Sequence, residues 1–359
     1  MSPIKVMVVD DSAFMRRIII STLEKSNEIE IVGYARNGED ALNKIKIYKP
    51  DVITLDVEMP IMNGIETLEK LICENPLPVI MISSLTTEGA SLTLHALELG
   101  AVDFVAKPEK REEMALLEEE LVHKVKIAAR VKVNKKCTVP GTIKKPELSP
   151  EKIKQDKINQ DKKIDVKNKI EVVAIGTSTG GPPALQKLLL SLPKNFPVGI
   201  VIVQHMPKGF TGPLATRLNK LCEIDIKEAE EGDKIAPGKV LIAPAGYQID
   251  FKRTGKEVIV NLKTVAPIQT RFKPSVDVML LSLKKVYGGN CLGVILTGMG
   301  SDGTIGLTEL KKLGATVLAQ DEASSVVYGM PKSAVEAGVV DKILPLSQIA
   351  GEMQKIVRK

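Results

Sequence analysis

The sequence predicts an α/β protein made of two doubly wound parallel-sheet domains, joined by a flexible, lysine-rich linker. Short apolar runs alternate with amphipathic runs along residues 1–130 and again along residues 169–359, which is typical of strand–helix units. The chain is 44% hydrophobic but only 3% aromatic and has no Trp. An aliphatic core of this kind suits parallel strands covered by helices. Between the two regions the alternation stops.

Charge and cysteine usage narrow the classes of protein. The formal net charge is +6, but the stretch between Val131 and Lys169 alone holds twelve Lys against five acidic residues. The remaining chain is close to neutral, which argues against a basic nucleic-acid interface on a folded domain. The four cysteines form no C-x-x-C pair, which argues against a zinc site or a disulfide framework and favours a reducing compartment. No apolar run approaches the ~20 residues of a membrane span, and the start does not fit a signal peptide. We therefore expect a cytoplasmic protein without nucleic-acid partners or membrane insertion.

The first domain, residues 1–130, is predicted to contain five strands, each followed by a helix. The predicted strands are 5–9, 30–35, 51–55, 79–82 and 102–106. The predicted helices begin near Ala13 and otherwise span 39–48, 64–73, 88–99 and 109–129. Such a sheet places its functional crevice at the carboxyl ends of the strands.

Polar side chains occupy those strand ends. Asp10 and Asp11 follow the first strand, Asp56 the third, Ser83 the fourth and Lys107 the fifth. Acids at loop starts are often helix caps or turn formers, but that role would explain only one or two of these residues. Clustered carboxylates repel one another and require a cation, and an all-oxygen site suits Mg²⁺. The sequence therefore favours a magnesium site.

Over its whole length this half resembles the receiver domain of two-component response regulators, a flavodoxin-like fold. The resemblance implies that Asp56 accepts a phosphoryl group and that Asp10 and Asp11 hold Mg²⁺ together with it. It also implies a histidine kinase as phosphodonor. By the same resemblance, the switch and phosphoryl-contact positions are Ser83, Phe104 and Lys107.

Residues 131–168 are predicted to be a flexible basic linker. Lys, Asn, Gln, Asp and Pro dominate, with only isolated apolar residues, so no core can form there. A tail that binds nucleic acid or membranes is the alternative. It is less favoured because the segment lies between two folded domains.

The strand–helix alternation resumes in residues 169–359. Predicted strands are 171–175, 198–203, 291–296 and 316–319, and predicted helices are 182–190, 209–221, 274–287 and 304–313. Between residues 224 and 261, short runs broken by Gly and Pro predict β-hairpins, including 238–243 and 247–260. We expect a Rossmann-like domain with a small antiparallel insertion.

A glycine-rich turn, Gly176-Thr177-Ser178-Thr179-Gly180-Gly181, joins the first strand and helix of this domain. The Gly-x-Ser-x-Gly spacing fits a nucleophile elbow, which presents a serine hydroxyl on a sharp turn. A phosphate cradle is a weaker alternative because no Lys-Ser or Lys-Thr follows the glycines. An ordinary strand–helix turn with a Ser or Thr cap is the interpretation that this turn alone favours.

Two further strand ends change that balance. His205 follows a buried strand in the segment Gln204–Pro207, and Asp302 lies in a second glycine-rich loop. The alternative role for Asp302 is the N-cap of the helix that begins at Thr304. Together Ser178, His205 and Asp302 fit the nucleophile, base and orienting acid of acyl transfer. No acid lies between Ser178 and His205, so the Ser–acid–His order of α/β-hydrolases is excluded if His205 is the base.

With these three loops, the C-terminal part closely resembles the catalytic domain of the chemotaxis protein-glutamate methylesterases, the CheB family. The matching segments are 176–181, 204–207 and 296–303, and a receiver, a linker and this domain cover essentially the whole chain. The resemblance implies Ser178 as nucleophile, His205 as general base and Asp302 as its partner, without a metal. It implies that Thr179 and the backbone N–H of Met299 support the oxyanion.

The resemblance also implies a substrate and a mode of regulation. Such an enzyme demethylates γ-glutamyl methyl esters on chemoreceptors and deamidates receptor glutamines, and its unphosphorylated receiver covers the catalytic rim. Two other classes stay open. A DNA-binding response regulator would need a basic recognition helix, which we do not find. A nucleotide-binding output domain would use the glycine loops on phosphates.

Overall fold

The computed structural model describes residues 2–108, 110, 114–131, 133, 166 and 168–358. The predicted linker, residues 131–168, therefore lies almost entirely outside the described residues. The domain boundaries at 130 and 169 stay predictions.

The first domain is a five-stranded sheet in the order β2-β1-β3-β4-β5, and all its strand pairs are parallel. This confirms the predicted receiver-like architecture. Its strands are β1 Ile4–Val9, β2 Ile29–Ala35, β3 Val52–Asp56, β4 Val79–Ser83 and β5 Asp103–Ala106. Its helices are α1 Ala13–Leu23, α2 Gly38–Tyr48, α3 Gly64–Glu74, α4 Thr87–Leu99 and α5 Met114–Ala128.

Polar caps fix where several of these helices begin. The side chains of Ser12, Asn37, Asn63 and Thr86 each accept a backbone N–H from the first turn of the next helix. At Asn63 the N–H in turn donates to a carboxylate in the first turn of α3, which completes a capping box. Because each cap follows the carboxyl end of a strand, these four loops lie at one edge of the sheet.

The second domain contains a seven-stranded sheet in the order β14-β13-β12-β6-β7-β9-β8, with parallel pairs throughout. Its strands are β6 Val172–Thr177, β7 Gly199–Gln204, β8 Asp225–Glu228, β9 Lys239–Ile242, β12 Cys291–Ile295, β13 Thr316–Gln320 and β14 Lys342–Leu344. Its helices are α6 Gly181–Leu189, α7 Thr211–Leu221, α8 Val276–Tyr287, α9 Thr304–Lys311, α10 Met330–Glu336 and α11 Leu346–Val357. The elements α10, β14 and α11 extend beyond the last predicted strand.

The insertion is smaller than predicted. The run 247–260 does form an antiparallel hairpin, made of β10 Gln248–Thr254 and β11 Glu257–Lys263. The prediction of a hairpin at 238–243 is wrong, because β9 pairs in parallel with both β7 and β8. Three of the four β9 residues are buried, as expected for an interior parallel strand. The Pro and Gly just before β9 obscured that pattern in the sequence.

The strand order determines which loops meet. Strands β12, β6 and β7 are consecutive neighbours, with Ile295 paired to Gly176 and Thr177 paired to Gln204. The loops that follow these three strands carry Asp302, Ser178 and His205. The sheet therefore brings the three predicted catalytic residues to one edge.

Candidate active site

The acidic residues predicted at the receiver's sheet edge do form a cluster. Carboxylate oxygens of Asp10, Asp11 and Asp56 lie within 4.8 Å of one another. Asp10 and Asp56 are buried, whereas Asp11 is exposed. Lys107 Nζ lies 2.7 Å from Asp56 Oδ2 and 3.3 Å from Asp10 Oδ2. One ammonium group thus faces two buried carboxylates and a third at the surface.

This cluster is short of positive charge. Burial raises the pKa of Asp56 to about 6; the hydrogen bond from Lys107 opposes this shift, and the charge of Asp10 adds to it. Burial also raises the pKa of Asp10, against the attraction of Lys107. Asp10 Oδ2 is buried and has no hydrogen-bond partner within the described residues. An acidic receiver cluster in which two buried carboxylates share one ammonium group is typical of a Mg²⁺ site.

The predicted switch residues lie beside this cluster. Ser83 is fully buried and accepts a hydrogen bond from Thr93 Oγ1 at 2.6 Å, so it is tied to α4. Phe104 is 3% exposed, and its ring stacks on Phe210 of the second domain with centroids 4.6 Å apart. One residue therefore contacts the helix next to the cluster, and the other forms part of the contact between domains.

The two domains meet along α4 and α5 of the receiver. Helix α4 packs against α6 and α7, where the side chain of Leu94 faces Pro182 and Leu214. At the end of α4, Arg217 Nε donates to Glu98 Oε1 at 2.6 Å. Since α6 begins directly after the Ser178 turn, the receiver packs beside the loop that carries the predicted nucleophile. A second ion pair joins Glu119 of α5 to Arg271.

In the second domain, His205 and Asp302 form a hydrogen-bonded pair. His205 Nε2 lies 2.8 Å from Asp302 Oδ2. Asp302 also accepts a hydrogen bond from Ser275 Oγ at 2.8 Å and from the N–H groups of Val276 at 2.7 Å and Asp277 at 3.1 Å. These donors form the start of α8, so the carboxylate lies at the positive end of that helix.

These contacts keep Asp302 ionised near neutral pH. Burial acts to raise its pKa, but the hydrogen bond and charge of His205 and the backbone donors of α8 outweigh burial, and the net pKa is lowered. In the structure Asp302 does not cap α9, which was its alternative predicted role. The N-cap of α9 is Gly303, and no side chain caps it. Asp302 accepts from the start of α8 through both oxygens instead, and its Oδ2 is shared between the Val276 N–H and His205.

A second acid, Asp277, lies next to this pair and was missed by the sequence analysis. It is buried, and its Oδ1 accepts the Gly306 N–H at 2.8 Å. Each acid is therefore close to the start of one helix and accepts hydrogen bonds from the start of the other. Burial, and to a lesser extent the charge of Asp302, raises the pKa of Asp277 to about 6. The sequence was sufficient to place Asp277 in the first turn of a helix, but not to predict its contact with α9.

The imidazole of His205 is held by contacts on its face and at one edge. It stacks on Phe272 with ring centroids 4.0 Å apart and planes 6° from parallel. With Nε2 bonded to Asp302, Nδ1 is buried and has no hydrogen-bond partner in the part of the chain that is described. Nδ1 is therefore the nitrogen that remains to accept a proton.

The two catalytic loops are tied together through their backbones. The Gln204 amide donates to the carbonyls of Ser178 and His205, both at 2.9 Å. The His205 N–H also donates to the carbonyl of Thr177 at 3.1 Å. The sequence indicated Gln204 only as a member of the segment 204–207 and predicted no role for it. Its positioning role depends on the β6–β7 pairing.

Ser178 lies on the turn after β6, and its N–H donates to the carbonyl of Thr297 at 3.1 Å. A Cβ added at Gly298 would lie 2.9 Å from the Ser178 Cβ, so this close approach requires glycine. Ser178 Oγ forms no hydrogen bond with any described residue, and the structure does not join it to His205. Nucleophile–base hydrogen bonds often form fully only with substrate bound.

The predicted oxyanion contributors flank this serine. Thr179 follows it directly, and Met299 follows Gly298. Within the described residues, neither backbone N–H donates to another protein group. A tetrahedral oxyanion requires N–H donors that are free of other acceptors, and these two meet that condition.

Comparison with known proteins identifies the family. The model for the CheB methylesterase family matches residues 173–353, and the model for the response regulator receiver domain matches residues 6–117. The chain belongs to the CheB methylesterase family. The resemblance stated from the sequence is therefore confirmed, as is the order of the two domains.

Relatives in this family match nearly the full chain. A protein-glutamate methylesterase/protein-glutamine glutaminase of Moorella thermoacetica is 44% identical, covering 99% of this chain and 98% of its own length. One from Halalkalibacterium halodurans is 48% identical, covering 97% of each chain. The crystal structure of the Thermotoga maritima CheB methylesterase catalytic domain is 43% identical, with a TM-score of 0.51, and covers 52% of this chain and 99% of that one. In the described part of this chain, none of the helices is long and apolar enough to cross a bilayer.

Proposed function

We propose that this protein is a receiver-regulated protein-glutamate methylesterase and protein-glutamine glutaminase. Its substrates would be γ-glutamyl methyl esters and glutamine side chains of chemoreceptors, and it would act in the cytoplasm during chemotactic adaptation. The observation that supports this most is the hydrogen-bonded His205–Asp302 pair, since Nδ1 of the same imidazole has no hydrogen-bond partner among the described residues and Gln204 bonds the His205 loop to the Ser178 loop. Neither nucleic acid nor membrane insertion enters the proposal.

The mechanism is acyl transfer through Ser178. Oγ attacks the ester carbonyl while His205 Nδ1 takes its proton, and Asp302 stabilises the imidazolium that forms. The N–H groups of Thr179 and Met299 donate to the oxyanion. The imidazolium returns its proton to the leaving oxygen, and methanol departs. Water, deprotonated by His205, then releases the glutamate; with glutamine the leaving group is ammonia.

The receiver would control access to this site. Asp56 is the proposed phosphoacceptor, with a histidine kinase as donor, and Asp10, Asp11 and Asp56 would hold Mg²⁺. The ion supplies charge neutralisation for phosphoryl transfer, and Lys107 contacts the phosphoryl group. New charge at Asp56 would act through Ser83 and Phe104 on the contact between the domains, since Ser83 bonds to α4, which packs on the second domain, and Phe104 stacks on Phe210.

The test is a methanol-release assay on methylated receptor membranes. Ser178→Ala and His205→Ala should each abolish release, and the double variant should be little worse, because the residues act as a unit. Ser191→Ala, at an exposed serine after α6, is the matched control. A fluorophosphonate label on Ser178 would exclude the DNA-binding and nucleotide-binding alternatives. Near-normal turnover by either single variant would contradict the mechanism.

A further inference from the structure

The rim next to His205 carries three cations on neighbouring loops. Arg271 and Lys273 flank Phe272, whose ring stacks on His205 at 4.0 Å. The Arg271 guanidinium lies over the same Phe272 ring, 5.0 Å from its centroid. Lys208 follows His205 by three positions, and its side chain runs 3.5 Å from the Cβ site of Gly246, whose N–H bonds the carbonyl of Lys273. We call Lys208, Arg271 and Lys273 the basic rim.

The basic rim is anchored within the second domain. Gln248 Nε2 donates to the Phe272 carbonyl at 2.7 Å, and the Ser275 N–H donates to Gln248 Oε1 at 2.9 Å. The Gly246 N–H donates to the Lys273 carbonyl at 3.0 Å. The backbone next to Arg271 is therefore held by contacts within the second domain, without help from the receiver.

An acid from the other domain meets this rim. Glu119, on α5 of the receiver, pairs with Arg271, and the two side chains are 65% and 58% exposed. Among the described residues this is the one carboxylate that pairs with the rim, since Lys208 and Lys273 form no ion pair there. The pKa of His123, also on α5, is lowered first by burial and then by the charge of Arg271, which places α5 along this rim. A glutamate side chain of the receiver thus already pairs with Arg271, and the Phe272 ring lies between that arginine and the catalytic imidazole.

We propose that the basic rim binds acidic side chains that flank the scissile ester on the protein substrate, and that Glu119 occupies Arg271 as an internal competitor while the receiver is docked. The inference rests on the proposed function, because it identifies the substrate as an acidic segment of protein. Arg271 is the principal contact, since a guanidinium binds a carboxylate through two parallel hydrogen bonds. Phe272 separates it from His205, so substrate binding leaves the imidazole free for proton transfer.

The test uses two synthetic helical peptides that each carry one γ-methyl glutamate. In one peptide the neighbours one turn away are Glu, and in the other they are Gln. The quantity measured is the ratio of kcat/KM for the two peptides, with full-length protein, Mg²⁺ and a small phosphodonor. Wild type should prefer the Glu-flanked peptide by about tenfold, as expected for one charge-assisted contact.

Arg271→Gln should bring this ratio close to one, and Arg271→Glu should bring it below one. Arg271→Lys should rescue part of it, because a point charge replaces the planar fork. Lys256→Gln removes an exposed charge at the β10–β11 turn and should keep the wild-type ratio. A wild-type ratio of one, or an unchanged ratio in Arg271→Gln, would overturn the proposal.

A charge swap separates substrate binding from domain contact. The double variant E119R/R271E restores an ion pair between the domains with reversed signs. Its rate of methanol release without phosphodonor should be low, as in wild type. Its preference should nevertheless stay inverted, toward the Gln-flanked peptide, as in Arg271→Glu. If the swap instead restores the preference for the Glu-flanked peptide, Arg271 serves only domain contact and the proposal fails.

Binding measurements test whether the basic rim recognises acidic residues without relying on ester hydrolysis. In a Ser178→Ala background, fluorescence anisotropy of the labelled Glu-flanked peptide should show about tenfold weaker binding after Arg271→Gln. Absence of methanol release from both peptides would count against the proposed function, while the anisotropy still decides the role of the rim. Equal binding of both peptides by the Ser178→Ala protein would overturn the basic rim as an acid-binding surface.

Discussion

The protein contains two buried aspartate clusters that are satisfied in opposite ways. In the receiver, Asp10 and Asp56 share Lys107, and Asp10 Oδ2 has no hydrogen-bond partner within the described residues. In the second domain, Asp302 accepts four hydrogen bonds, three from the start of α8 and one from His205. Burial prevails in the first cluster and raises both pKa values, whereas donors prevail in the second and lower the pKa of Asp302.

The difference separates two uses of a buried acid. Carboxylates with too few hydrogen-bond donors destabilise the fold while they are ionised. Binding of a cation or modification of one carboxylate therefore changes the ionisation and contacts of the cluster at a small cost in free energy. A carboxylate whose oxygens are saturated with fixed donors keeps its charge and its position. The first arrangement suits a switch, and the second suits the orientation of an imidazole.

The largest expected effect comes from Asp302→Asn. The amide cannot match the donors that surround both oxygens, and it no longer stabilises an imidazolium at His205. We expect kcat to fall by about 10³–10⁴-fold while the chain still folds. Methanol release measures the loss of activity, and the circular-dichroism spectrum shows whether the variant is folded. Full activity in Asp302→Asn would show that the saturated carboxylate serves only as a helix cap.

The second prediction concerns stability at the receiver cluster. The pKa of Asp56 is about 6 in the folded protein, against an ordinary value of 3.8. A raised pKa means that the folded state holds this proton more tightly than the unfolded state. Stability should therefore fall as pH rises from about 4 to 6, by about 3 kcal/mol. Mg²⁺ should restore part of it above pH 6.

Urea unfolding of the receiver transition at pH 5 and pH 8 measures this effect. Asp56→Asn removes the titrating group, so it should flatten the pH dependence and raise the midpoint at pH 8. Asp51→Asn, at an exposed acid next to β3, is the matched control. An Asp56→Asn protein that is less stable than wild type at pH 8 without Mg²⁺ would contradict the conclusion that this cluster is short of positive charge.

Asp277 sharpens the comparison within the second domain, because it is an acid with a raised pKa next to one with a lowered pKa. Asp277→Ala removes the acceptor of the Gly306 N–H and should cost about 1 kcal/mol in the free energy of unfolding. Asp277→Asn keeps an acceptor and should cost less. Thermal unfolding of both variants decides this. Equal losses would mean that charge, and not the hydrogen bond to α9, is what Asp277 contributes.

The smallest effect is expected for Phe272→Leu. Stacked aromatic pairs contribute about 0.5–1.5 kcal/mol beyond their buried area, so loss of the flat face should lower kcat by about threefold. Phe272→Tyr keeps the face and should retain activity. A change confined to KM in Phe272→Leu would indicate that the ring contacts substrate and does not position His205.

Much of this arrangement could be predicted from sequence, because it depends on local pattern. Apolar runs bounded by Gly, Pro and acids locate the strands, and parallel strand ends meet at one edge, so Ser178, His205 and Asp302 could be grouped before any contact was known. Strand β9 was misassigned, since a four-residue run carries too little periodicity to separate a parallel strand from a hairpin.

The remaining features depend on contacts between distant segments. Asp302 accepts from the start of α8, which lies 25 to 27 residues earlier in the chain. Phe272 reaches His205 from a loop with no regular pattern, and the amide of Gln204 could have faced either side of its strand. No local rule joins such segments, so these positioning residues appear only in the folded protein.

We propose that the receiver cluster, which is short of positive charge, controls a catalytic site whose His205–Asp302 pair is already formed. Methanol release by the full-length protein tests this control most directly. The assay compares wild type and Asp56→Asn on methylated receptor membranes, each with and without phosphodonor and Mg²⁺. Couplings of this kind are about 1–3 kcal/mol, so wild type should accelerate by about 5- to 150-fold, and Asp56→Asn should not respond. Equal wild-type rates in the two conditions, with Asp56 shown to be phosphorylated, would contradict the account.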